Sequence, residues 1–114
     1  MFKRLIVLVR FNGFEKVTPK QKYELAKLLN KDVAMSGEKK LKPTNKSLDC
    51  AYRAFLFNDE GESMKEFIKQ IKDFESNADG VSIEMREIEE IEYAKLPVNR
   101  RNFHAFTHIK SRLI

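Results

Sequence analysis

The segment Lys3–Phe11 places the strongest constraint on the fold. Alternation puts Lys3, Leu5, Val7, Val9 and Phe11 on one side and Arg4, Ile6, Leu8 and Arg10 on the other. A period of two in β-branched, leucine and aromatic side chains is the signature of a strand. Large apolar residues occupy both sides, which predicts a strand at the centre of a sheet. Asn12-Gly13 breaks it.

Helix and strand signals then alternate. Thr18-Pro19-Lys20-Gln21 predicts a helix start: Thr18 caps the amide of Gln21, Pro19 takes the first helical position, and Gln21 reaches back. Tyr23, Leu25, Ala26, Leu28 and Leu29 supply its apolar stripe as far as Asn30 or Lys31. Val33 and Met35 alternate with polar neighbours as a short second strand. The following lysine-rich stretch with Pro43 reads as a hairpin loop. From Ser47 to Asn58 the pattern is again strand-like. Leu48, Cys50, Tyr52, Ala54 and Leu56 face one way; Asp49, Ala51, Arg53, Phe55 and Phe57 face the other.

Ser63 and Glu66 predict a second capping box, ahead of Met64, Phe67, Ile68, Ile71 and Phe74 at helical spacing; Asp79-Gly80 ends that helix. Val81, Ile83 and Met85 mark a last strand. Leu96-Pro97 breaks the chain, and Asn99 is positioned to cap a final helix reaching Ile114. The order β-α-β-β-α-β predicts an α+β domain over residues 1–96, ferredoxin-like, with an antiparallel sheet and two helices on one face. Residues 97–114 form an amphipathic basic helix packed on or beside it. Leu25, Leu29, Phe67, Ile71, Val7 and Tyr52 are the expected core. Ile6, Leu8, Phe55 and Phe57, with Arg53, are expected on the sheet face without those two helices. Apolar side chains there call for cover by the final helix, a second subunit as in a homodimer, or a ligand.

With 114 residues the chain holds one domain, and its single cysteine, Cys50, excludes an intrachain disulfide. On the apolar side of its strand, Cys50 reads as a small buried hydrophobe. The apolar run Leu5–Val9 is too short for a signal peptide, and no stretch approaches the roughly 20 apolar residues of a membrane helix. A soluble cytoplasmic protein without membrane contact is expected. The charge of +5 conceals a larger separation. Residues 1–46 carry 12 Lys/Arg against 4 Asp/Glu, residues 47–94 carry 5 against 13, and residues 95–114 carry 5 against none. Such blocks steer charged partners.

Helical spacing over 103–114 gathers Phe103, Phe106, Ile109, Leu113 and Ile114 in one stripe. Arg101, His104, His108 and Arg112 take the opposite one, flanked by Arg100, Lys110 and Ser111. A basic face of this kind suits phosphates, as does the loop cluster Lys39, Lys40, Lys42 and Lys46. His104 and His108 stand four residues apart but lack the companion Glu, Cys or carboxylate of a metal motif. Cys50–Phe57 matches the RNA-recognition signature poorly: Tyr52 and Phe57 fit, while the leading basic residue and the glycine are missing. The acidic run Glu87, Glu89, Glu90 and Glu92 splits between faces, which argues for pairing with the protein's own cations over an Mg²⁺ cage. No catalytic triad, glycine-rich phosphate loop, metal or other cofactor is implied. The leading expectation is a non-enzymatic module binding RNA or DNA through the final helix and the lysine loop. The alternative is a protein-interaction module, such as a small anti-CRISPR-like inhibitor from a phage or mobile element that docks on a host nucleic-acid-handling complex. A histidine-dependent RNase is the third class.

Overall fold

The computed structural model describes residues 2–29, 50–58 and 62–114. The expected strand at Val33 and Met35, the Lys39, Lys40, Lys42 and Lys46 cluster and the side chain of Cys50 lie outside the described residues. The elements are β1 (Phe2–Phe11), a 3₁₀ turn (Phe14–Lys16), α1 (Pro19–Leu29), β2 (Cys50–Asn58), α2 (Ser63–Asn77), β3 (Val81–Glu89), α3 (Glu90–Ala94), α4 (Arg101–Thr107) and β4 (Arg112–Leu113). They form an α+β structure with a four-stranded antiparallel sheet in the order β2-β1-β3-β4. β1 sits between β2 and β3 as its two-sided pattern requires. The fourth described strand, however, is the C-terminal β4, where a helix was expected.

Both faces of β1 are covered. Leu5, Val7 and Val9 join Phe55, Ile83 and Met85 beneath Leu25 and Leu29 of α1 and Phe67 and Ile71 of α2. On the other face Ile6, Leu8 and Ala54 meet Ile88, Tyr93, Ala105 and Phe106, so α3 and α4 supply the second layer. Residues Leu5 to Val9 are all fully buried. At roughly 1.5–3 kcal/mol for each large apolar side chain taken from water, this one strand anchors both cores.

The face assignment of β2 is corrected. Antiparallel partners share a face, and the register sets Leu5 opposite Phe55, Lys3 opposite Phe57 and Val7 opposite Arg53. Phe55 and Phe57 therefore lie on the side of α1 and α2, with ring centroids 4.9 and 5.7 Å from that of Phe67. Arg53 is buried on that side too. Tyr52, expected in the helix-side core, packs on the opposite face in edge contacts with Phe103 and Phe106, at 5.9 and 5.7 Å.

Helix ends follow local chemistry in one case and depart from it in two. The Thr18 box forms as expected, with the Gln21 amide donating to Thr18 Oγ1 and the Thr18 amide donating to Gln21 Oε1, both at 3.1 Å. The Ser63 box does not form. Helix α2 begins one residue earlier in the capping frame, with Glu62 at the N-cap and no side-chain cap, and the Glu66 amide donates to Glu62 O at 3.0 Å.

The final helix stops at Thr107 rather than Ile114, and it starts after Arg100 rather than after an Asn99 cap. Thr107 Oγ1 donates to the carbonyls of Phe103 and His104, a local competitor of helix propagation. His108 is extended (φ −65°, ψ 133°), and a turn closed by Ser111 N to His108 O delivers β4 to the edge of β3. There the Ile114 amide donates to Met85 O at 3.1 Å. Edge groups that would otherwise stay unpaired thus take the chain that helical spacing had assigned to further turns. Farther along the same edge, the Ile83 amide donates to the Glu75 carboxylate of α2 at 2.6 Å.

Gly80 has φ +83°, and a Cβ there would collide with the Gly13 carbonyl. Gly80→Ala should therefore cost about 2–3 kcal/mol in urea unfolding. Gly13→Ala, whose nearest contact would be the flexible Lys16 side chain at 3.1 Å, should stay within about 1 kcal/mol of wild type. The end of α4 gives a second test. Phe106, 6% exposed, should cost about 3–5 kcal/mol on truncation to Ala. Ile109, 95% exposed, should cost no more than about 0.5 kcal/mol, whereas a continuous helix would have made the two alike.

Candidate functional site

Shortening the final helix rearranges the expected basic stripe. Arg100 is exposed, and its guanidinium lies over the Phe103 ring at 4.5 Å. Arg101 turns back: its Nε and Nη2 donate to Leu96 O at 3.2 and 2.8 Å. It also lies 5.6 Å from the Tyr93 ring centroid. His104 remains on α4 beside Phe103, while His108 follows the helix and its Nδ1 accepts from the Lys110 amide at 3.2 Å. The two histidines therefore do not share a helical face. Lys110 is exposed in the turn, and Arg112 has moved to β4, where it pairs with Glu87 at 3.4 Å. Of the expected stripe, only Arg100 and Arg101 come together in one depression.

That depression is a groove of about 640 Å³ between the sheet and the segment 93–103. Its cationic lining consists of Arg4, Arg100 and Arg101; its rings are Tyr52, Tyr93 and Phe103; Val98 and Asn102 complete the wall. Among the described residues no carboxylate belongs to the lining. Arg4 comes from β1, where it occupies the same side as Ile6 and Leu8, and its side chain is only 11% exposed. Its charge is met by a two-pronged contact with Glu90 of α3, Nε to Oε1 at 3.2 Å and Nη2 to Oε2 at 2.5 Å. The same guanidinium stands 4.5 Å from the Tyr93 ring centroid. The Tyr93 hydroxyl donates to Asn102 Oδ1 at 2.6 Å, tying α3 to α4 behind the groove.

The backbone at the mouth is unusual. Arg100 has φ +58° and ψ +33°, and among the described residues no other non-glycine residue has a positive φ. An L side chain pays roughly 1–2 kcal/mol for that left-handed conformation. Strain of this kind concentrates where geometry serves function.

Two members of the acidic run, Glu87 and Glu90, pair with the protein's own cations, whereas Glu89 Oε2 is buried without a hydrogen-bond partner among the described residues. Glu87 meets Lys3 at 3.5 Å as well as Arg112, Glu90 holds Arg4, and Glu84 lies 3.8 Å from Arg10. Sequence reasoning missed Arg4, Tyr52, Tyr93, Asn102 and Phe103 as site residues. Two signals were available: Arg4, a cation on an apolar side of a central strand, and Tyr52, which fits the RNA-recognition signature. No family model and no curated protein matches this chain.

The strain at Arg100 is measurable. Arg100→Gly and Arg100→Ala both lose the stack on Phe103, but only glycine adopts a positive φ without cost. The glycine variant should therefore be more stable than the alanine variant by about 1 kcal/mol in chemical denaturation. Equal stabilities would mean that Arg100 is not held left-handed.

Proposed function

We propose that this protein is a nucleic-acid-binding module, and that its contact surface is the groove rather than a continuous helical stripe. The observation that carries the reading is the convergence of three guanidiniums and three aromatic rings on one depression without a carboxylate in its lining. Guanidiniums hold phosphate oxygens in forked geometry, and aromatic faces and edges meet bases. Arg100, exposed at the mouth, makes the phosphate contact, while Arg4, held by Glu90, and Arg101, donating to Leu96 O, shape the interior. The lysine cluster 39–46 adds phosphate contacts in the same reading, and the module acts in the cytoplasm. The fold is read as ferredoxin-like with β4 added; what supports this is β1 lying antiparallel between β2 and β3.

Fluorescence anisotropy with a labelled oligonucleotide, titrated at two salt concentrations, tests the proposal. Arg100→Ala should weaken binding and reduce the slope of log K against log salt by about 0.7–0.9, one phosphate contact. Lys69→Ala, the same charge change on exposed α2, should leave both nearly unchanged. Wild-type affinity no better than the non-specific level of roughly 10⁻⁴–10⁻⁶ M, or equal effects of the two substitutions, would overturn it.

A further inference from the structure

Resting on the nucleic-acid reading, we infer that the groove takes an unpaired nucleotide, so that the ligand is a single strand rather than a duplex. Three features lead there. The first is depth. Arg4 is only 11% exposed and Tyr93 only 6%, so Arg4, already paired with Glu90, and the Tyr93 ring lie recessed in the groove. A duplex presents its phosphates on a broad convex surface with its bases stacked inside, and it leaves a recessed cation untouched. A single strand has the freedom to turn one nucleotide inward.

The second feature is size. The groove is open, and its volume of about 640 Å³ lies within the roughly 300–1,000 Å³ of small-molecule sites, room for one nucleotide laid along the wall.

The third is the composition of the wall. Phe103 and Tyr52 meet edge to face at 86°, and the Arg100 guanidinium is layered on Phe103. The two rings stand nearly perpendicular, and the exposed planar group over Phe103 is the Arg100 guanidinium, 4.5 Å from the ring centroid. Unstacked bases stack on aromatic rings and on arginine planes, a contact open to every base and closed to a base still held in a duplex.

Anisotropy with a labelled oligo-dT 12-mer and a duplex of equal length, at one fixed salt concentration, tests the inference. The single strand should bind at least tenfold more tightly. Phe103→Leu, which keeps an apolar side chain against Tyr52, should weaken single-strand binding fivefold or more and leave duplex binding within twofold. A thymidine monophosphate competitor should displace the single strand more effectively than inorganic phosphate at matched ionic strength. Should Phe103→Leu lower the melting temperature, the nucleotide-against-phosphate competition on wild type decides alone. Equal affinity for duplex and single strand, no selective loss of single-strand binding in a stably folded Phe103→Leu, or equal competition by inorganic phosphate would overturn the inference and leave nucleic-acid binding standing. Failure of wild type to bind either probe would overturn both readings.

Discussion

The burial of β1 on both faces governs the rest of the molecule. A strand whose residues 5–9 are all removed from water needs two neighbours to pair its backbone and two layers to cover its side chains. β2 and β3 meet the first need, pairing along almost the whole length of β1. Helices α1 and α2 meet half of the second. The other half falls to the chain after β3, and α3 and α4 are short because their task is local: each delivers a few side chains, Tyr93 from one and Ala105 and Phe106 from the other, onto Ile6 and Leu8. The groove lies at the end of that second layer, where Arg4 of β1 is held against Glu90 and Tyr93 of α3.

Pairing β1 with β3 also decides the electrostatics. In sequence the cationic N-terminal block and the acidic block are well separated, which suggests a strong dipole. The antiparallel register lays one against the other, and Lys3, Arg4 and Arg10 of β1 each face a carboxylate from residues 84–90. The exposed Arg10–Glu84 pair contributes little stability, about 0–1 kcal/mol, and the effect common to all three is to cancel field. What survives is the charge that has no acidic neighbour in sequence or across the sheet. Arg100 is the clearest case, pairing with no carboxylate among the described residues.

How much of this was legible in the sequence depended on the range of the determining interaction. Alternation in 3–11 marked a central strand because period and burial are written into consecutive residues. The Thr18–Gln21 box formed because its partners lie three residues apart. The sides of β2 were misassigned because alternation defines two faces without saying which one meets α1, and only the register with Leu5 decides that for Phe55. The end of α4 was overrun for a related reason: helical spacing in 103–114 is real, but the unpaired edge of β3 outcompetes it, and that edge is contributed by residues 85–87. Arg100 and Arg101 were found from a local charge pattern. Their companions Arg4, Tyr52 and Tyr93 come from three other elements, and no spacing rule connects them.

The strain at Arg100 can be traced to the contacts that build the groove. Between Tyr93, held in the second core, and Ala105 and Phe106, also held there, the chain must make a loop of fixed span. Two tethers tighten it: Arg101 grips Leu96 O, and the Tyr93 hydroxyl grips Asn102. With both ends pinned and Pro97 restricting the middle, the reversal into α4 is left to the residue just before the helix, and Arg100 turns left-handed. A glycine would do this at less cost. An arginine there gives up roughly 1–2 kcal/mol of backbone energy and recovers part of it, about 0.5–1 kcal/mol, by lying on Phe103. That balance is unfavourable for stability alone. It becomes intelligible if the guanidinium at the mouth of the groove is itself what the loop is built to hold.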